Sequence, residues 1–130
     1  ASLHLLESAL SREGFPAARL WAEPQDWSGF PPALEAWIAQ TGAQLARAAV
    51  TACAVIDFEA VLIDGAVPPA VRARLVAAAR ARLPALDTRG LSPVRIEEGR
   101  VGADARALGA ATAPVFARYL LNTHAGLATG

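Results

Sequence analysis

The chain has 130 residues, 54% of them hydrophobic and 18% charged, with twelve basic and twelve acidic side chains that cancel to a net charge of zero. That balance excludes intrinsic disorder, and it excludes a sequence-wide basic field for nucleic acid or an anionic membrane. A single cysteine, Cys53, excludes an internal disulfide and a multi-thiolate metal site, and it fits a reducing compartment, with the cytoplasm as the expectation.

Ser2 is an N-cap for a short amphipathic helix carrying Leu3, Leu5, Leu6 and Leu10, which Gly14 and Pro16 close. Residues 19–32 then place Trp21, Trp27 and Phe30 among the breakers Pro24, Gly29, Pro31 and Pro32. Trp21, Trp27, Phe30 and Trp37 fit either a platform for stacking sugar rings or an aromatic clamp holding this loop to the helix that follows. The clamp is the stronger expectation, because burying large rings anchors a loop that has no other hold.

Pro32 suits the first turn of a long helix whose apolar residues, Leu34, Trp37, Ile38, Leu45, Ala48, Ala49, Ala52 and Val55, recur at close to the 3.6 period. Small side chains at Ala48, Ala49 and Ala52 admit a close neighbour, so this end is expected to be the most buried. Glu35, Gln40, Gln44 and Arg47 interrupt the stretch from Leu34 to Ile56, which makes it a buried helix and not a membrane span.

The apolar run from Phe58 to Gly65 has the pattern of a central strand covered on both faces. Pro68 and Pro69 restart a helix that turns Val71, Leu75, Val76 and Leu83 inward and leaves Arg72, Arg74, Arg80 and Arg82 to solvent, until Pro84 stops it. Pro93 to Glu97 alternates apolar and polar, which predicts a strand with one wetter face near a sheet edge. Strand, helix and strand at this spacing imply a right-handed parallel crossover. A last helix is expected from Asp104 to Leu121, with Leu108, Ala111, Val115, Tyr119 and Leu120 along one side.

The resulting class is α/β, in the order helix, helix, strand, helix, strand, helix. Two strands make a poor independent sheet. Further strands are therefore expected from sequence upstream of Ala1 or from a partner, and residues 1–130 read as one partial domain, a fragment of a longer chain. Ala-rich helix surfaces left open in this way predict self-association, with the long helix as the contact, or an exposed apolar face.

Few residues suggest chemistry. His4 and His124 stand at opposite ends of the chain without partners at metal-ligand spacing, and Cys53 sits among alanines as a small hydrophobe. Asp57 with Glu59, near the start of a strand, and the consecutive Glu97 and Glu98 fit solvated charges better than an acid–base pair. The turn Asp64, Gly65, Ala66, Val67 lies where ligands of open α/β sheets gather, outside the carboxyl end of a strand. Gly65 serves there either as a positive-φ turn or as a point of close backbone approach to a ligand.

The segments Ala54 to Pro68 (AVIDFEAVLIDGAVP), Val71 to Leu75 (VRARL) and Glu98 to Ala111 (EGRVGADARALGAA) together resemble the carboxyl-terminal part of the ROK family, which groups sugar-responsive repressors and sugar kinases. The resemblance covers nearly the whole chain. Its most specific piece is the glycine-containing turn after a strand, followed at a distance by a Gly-x-Asp-Ala-x-x-x-Gly-Ala-Ala helix start from Gly102 to Ala111. Val55 to Val61 (VIDFEAV), with Phe116 to Leu121 (FARYLL), is more similar to the family's proteobacterial transcriptional regulators than to its kinases.

The resemblance implies the later part of an actin-like, ribonuclease-H-like ATPase lobe. Ser2 matches a serine that follows the family's zinc segment, which places the winged helix, phosphate loop, catalytic aspartate and zinc ligands upstream. It implies a parent regulator with a sugar effector, DNA bound through that winged helix, homo-oligomerisation and no membrane; the alternative is an ATP-dependent cytoplasmic sugar kinase. No catalytic residue, metal ligand or cofactor is implied within these residues, ATP or zinc belonging to the parent. Gly65, Ala66 and Val67 match the kinases' adenosine-contacting turn, with Ala66 in place of the second glycine.

Overall fold

The computed structural model describes residues 2–30, 32–104, 107, 109–112 and 114. Its elements are α1 (Leu3–Arg12), α2 (Pro32–Val55), β1 (Val61–Ile63), α3 (Pro69–Arg82) and β2 (Ile96–Glu98), with short 3-10 turns at Ala17–Leu20, Leu83–Ala85 and Gly102–Asp104.

Local chemistry sets the boundaries. The Ser2 hydroxyl accepts the His4 N–H at 3.2 Å, capping α1, and Gly14 takes φ +79° just beyond its end. Pro32 and Pro69 open α2 and α3 at first-turn positions that need no N–H donor. Pro84 lies inside the 3-10 turn that follows α3, where the α-helix has ended.

Two apolar cores result. In the first, Leu6 and Leu10 of α1 meet Leu34, Trp37 and Ile38 of α2 and Val71 and Leu75 of α3. The aromatic loop closes it: Trp27 stacks on Phe30 at 5.8 Å between ring centroids and meets Trp37 edge-on at 6.4 Å. Both buried indoles are satisfied, Trp27 Nε1 donating to the Leu20 carbonyl at 3.3 Å and Trp37 Nε1 to the Ser2 carbonyl at 3.0 Å. Trp27, Phe30 and Trp37 form a clamp, Trp27 being only 2% exposed, whereas Trp21 is 51% exposed and outside these ring contacts. In the second core, Ala46 and Ala49 of α2 and Val76 and Ala79 of α3 pack against Ile63 of β1 and Ile96 of β2.

The two strands pair in parallel, Val61 opposite Ile96 and Ile63 opposite Glu98. Arg80 Nε donates to the Ile96 carbonyl at 2.7 Å and ties α3 to β2.

Several expectations need correction. The first strand is confined to Val61–Ile63, because the ladder with β2 is bounded by Val61 N–H donating to the Arg95 carbonyl and Gly99 N–H donating to the Ile63 carbonyl, each at 2.8 Å. Asp57 and Glu59 therefore lie in the connection before the strand. Only one face of β1 is covered: Ile63 is buried on α2 and α3, whereas Leu62 points the other way and is 63% exposed.

Buried positions are densest in the first half of α2, at Ala33, Leu34, Trp37, Ile38, Thr41 and Gly42; of the Ala-rich end, Ala49 is buried, as Ala46 is before it, while Ala48 and Val55 are exposed. The aromatic loop and α1 cover that first half. The helices approach closely there: a Cβ on Gly42 would lie 2.6 Å from the Ala78 Cβ of α3. Arg72 is not a solvent-facing charge, its side chain being 12% exposed and paired with Asp64.

Residues 107, 109–112 and 114 are helical, as expected for the last element, and Ala111 is exposed. Leu108, Val115, Tyr119, Leu120 and His124 lie outside the described residues.

Candidate functional site

Parallel pairing brings the carboxyl ends of β1 and β2 side by side, so the chain leaves both strands at the same edge of the fold. From β1 come Asp64 and Gly65; from β2, after Glu98, come Gly99, Val101 and Gly102. The first turn of α3 supplies Arg72.

The carboxylate of Asp64 is the centre of this arrangement. Its Oδ1 accepts the Gly65 N–H at 2.8 Å, the Gly102 N–H at 3.0 Å and the Arg72 guanidinium at 3.3 Å. Its Oδ2 accepts the Val101 N–H at 2.9 Å and shares the Gly102 N–H at 3.2 Å. These donors hold the Asp64 pKa below the ordinary carboxylate value, the Gly65 N–H most strongly, then those of Gly102 and Val101, with the Arg72 charge adding to them against partial desolvation.

Glycine makes the seat possible at two points. A Cβ on Gly99 would fall 2.5 Å from the Asp64 Cβ and 2.6 Å from its Cγ, so Asp64 rests against bare backbone. Gly102 takes φ +63°, which turns its N–H toward the carboxylate. Arg72 has a second acidic neighbour, Glu98, whose Oε2 is 3.8 Å from Nε; Nε itself is buried and makes no hydrogen bond.

Of the residues singled out in the sequence, Gly65 takes φ +146° and donates to Asp64, which is the turn role. Ala66 is exposed, and Val67 is half-buried against the first core. Asp64, Gly99, Val101 and Gly102 were not legible as one site, since the contacts span 37 and 38 positions of sequence. The only local signal was the Asp-Gly pair after an apolar run.

Among the described residues the other titratable groups do not assemble further chemistry. His4 stands 3.7 Å from Glu7 on the exposed face of α1, and Cys53 is buried in α2. Asp57 accepts from the Ser92 hydroxyl at 3.1 Å, joining the connection before β1 to that before β2. Among the described residues no three His, Cys, Asp or Glu side chains gather as metal ligands, and no helix is long and apolar enough to cross a membrane.

Between α2 and the strands, Leu45, Ala48, Ala49 and Ala52 of α2, Val61 and Leu62 of β1 and Ile96 of β2 border a groove of about 320 Å³. No protein-family model, curated protein or solved structure matches the chain.

Proposed function

We propose that residues 1–130 are the later part of an actin-like, ribonuclease-H-like lobe in a cytoplasmic, sugar-responsive transcriptional regulator of the ROK family. In this reading the segment contributes to effector binding and oligomerisation and carries no catalytic activity of its own.

The observation that supports a regulator over a sugar kinase of the same family is the filled turn after β1. A kinase would need open amide groups and bare backbone there to receive an adenine nucleotide. Here the N–H groups of Gly65, Val101 and Gly102 all point into the Asp64 carboxylate, and Ala66 adds a methyl group where a second glycine would leave space. The residues present do not fit the nucleotide. A regulator has no such requirement, because an inducer only has to bind two conformations with different affinity.

The open edge of β1 supports the reading of a partial lobe. Among the described residues β1 pairs only with β2, and its other edge, the exposed Leu62 and the nearby Ala-lined groove offer a further strand both hydrogen bonds and an apolar seat. In the proposed parent that strand comes from upstream sequence, together with the winged helix and the zinc segment.

The test is made on the parent protein, by fluorescence anisotropy with DNA from its own promoter region and a panel of neutral sugars, in parallel with an ATP-coupled phosphorylation assay. Tight DNA binding released by one sugar, without phosphorylation of any, is the expected result. ATP-dependent phosphorylation of a sugar would overturn the assignment.

A further inference from the structure

We infer that Asp64 is the built-in occupant of an oxyanion seat, an autoinhibitory contact that keeps a small anion from binding at the carboxyl ends of β1 and β2. The inference does not rest on the regulator reading, since it concerns only the donors that this chain brings together.

The donors come from three separate segments. Gly65 follows β1, Val101 and Gly102 follow β2, and Arg72 belongs to α3. Successive main-chain N–H groups that converge with a guanidinium on one point form a concavity suited to an anion. Two oxygens receive all of them, which is the pattern a phosphate or a carboxylate would present. The point lies outside the ends of parallel strands, where ligands of open sheets collect, and the Asp64 side chain is 23% exposed, so a small anion has access.

The charges explain why the seat is closed as it stands. With Asp64 in place, two carboxylates, Asp64 and Glu98, face the single Arg72 guanidinium, and a further anion is repelled. Replacing Asp64 by alanine leaves one carboxylate, Glu98, which touches only Nε and at 3.8 Å. The guanidinium edge that donated to Asp64 and the three N–H groups are then free of their occupant. Arg72 Nε, buried without a hydrogen bond, shows that even the present arrangement leaves this arginine incompletely satisfied.

The experiment follows the backbone amides of Gly65, Val101 and Gly102 by NMR while inorganic phosphate or, separately, acetate is added at constant ionic strength. In the wild-type chain these amides should not respond saturably. In Asp64→Ala they should shift together, with affinity for at least one of the two anions about tenfold or more above any wild-type response. Phosphate alone would assign the seat to phosphate esters, acetate alone to carboxylates, and both to oxyanions at large. Adding Arg72→Gln to Asp64→Ala should abolish the response.

A folded Asp64→Ala chain whose amides ignore both anions, or respond equally to chloride, overturns the inference. If Asp64→Ala does not fold, Asp64→Ser is used, which is small and uncharged and keeps an acceptor for the Gly65 N–H. Failure of both variants to fold, even with either anion present at high concentration, would equally overturn it, since Asp64 would then be a structural staple and not a plug.

Discussion

The packing of α2 on α3 makes a sharp prediction at Gly42. Alanine is the better helix former by about 1 kcal/mol at an interior position, so Gly42→Ala would stabilise a helix considered alone. The tertiary setting opposes this. The new Cβ would stand 2.6 Å from the Ala78 Cβ, 3.0 Å from the Ala78 carbonyl carbon and 3.1 Å from the Ala79 nitrogen. Carbon atoms prefer about 3.5–4.0 Å, so the helices must separate by about 1 Å, and no rotamer change can relieve a contact with main chain. Overpacking of this kind costs about 1–3 kcal/mol, which leaves a net loss of up to about 2 kcal/mol after the propensity gain. Urea denaturation of Gly42→Ala, of Ala78→Gly and of the double variant measures it as a cycle. The double variant moves the methyl group from one helix to the other, so its loss should fall short of the sum of the single losses by about 1–2 kcal/mol. A Gly42→Ala chain as stable as wild type or more so, with additive effects in the cycle, would refute the close approach.

Trp27 should show a graded response: Trp27→Phe leaves the Leu20 carbonyl without its donor and loses about 1–3 kcal/mol, while Trp27→Ala, which also empties the clamp, loses about 3–5 kcal/mol, both read from chemical denaturation. Acid should weaken the fold in a definite direction. Asp64, Asp26 and Asp87 all have pKa values held below the ordinary carboxylate value, Asp26 by the Ser28 N–H and Asp87 by the Arg89 side chain. A depressed folded-state pKa means that their contribution is complete above that ordinary value and is lost as the pH falls through the lowered one. Thermal midpoints between pH 2 and pH 6 should therefore fall toward acid, and less steeply in Asp64→Asn, whereas an unchanged slope would show that the Asp64 contacts do not form in solution.

The helices were legible because their signals are local. Ser2, Gly14, Pro32 and Pro69 sit at element ends whose geometry they favour, and the 3.6 period of Leu34, Trp37 and Ile38 names the buried stripe of α2. The extent of β1 was not legible, because an apolar run from Phe58 to Gly65 does not say which residues find a partner, and only β2 decides that. Nor does sequence reveal that Gly42, a poor helix former, stands close against α3. At the candidate site, Asp64 and Gly65 advertise a turn, yet the meaning of the aspartate depends on amides that chain connectivity places almost forty positions later. Arg72 follows the polar spacing of an exposed helix face, and what buries it is the pair Asp64 and Glu98 from the two strand ends.

The central claim, that this lobe belongs to a regulator and does not hold nucleotide at the turn after β1, is tested most directly by calorimetric titration of the parent protein with a non-hydrolysable ATP analogue. The Asp64 carboxylate across the Gly65, Val101 and Gly102 amides predicts no saturable heat at micromolar ligand. Micromolar affinity in the wild-type protein, unchanged by Ala66→Gly, would contradict it.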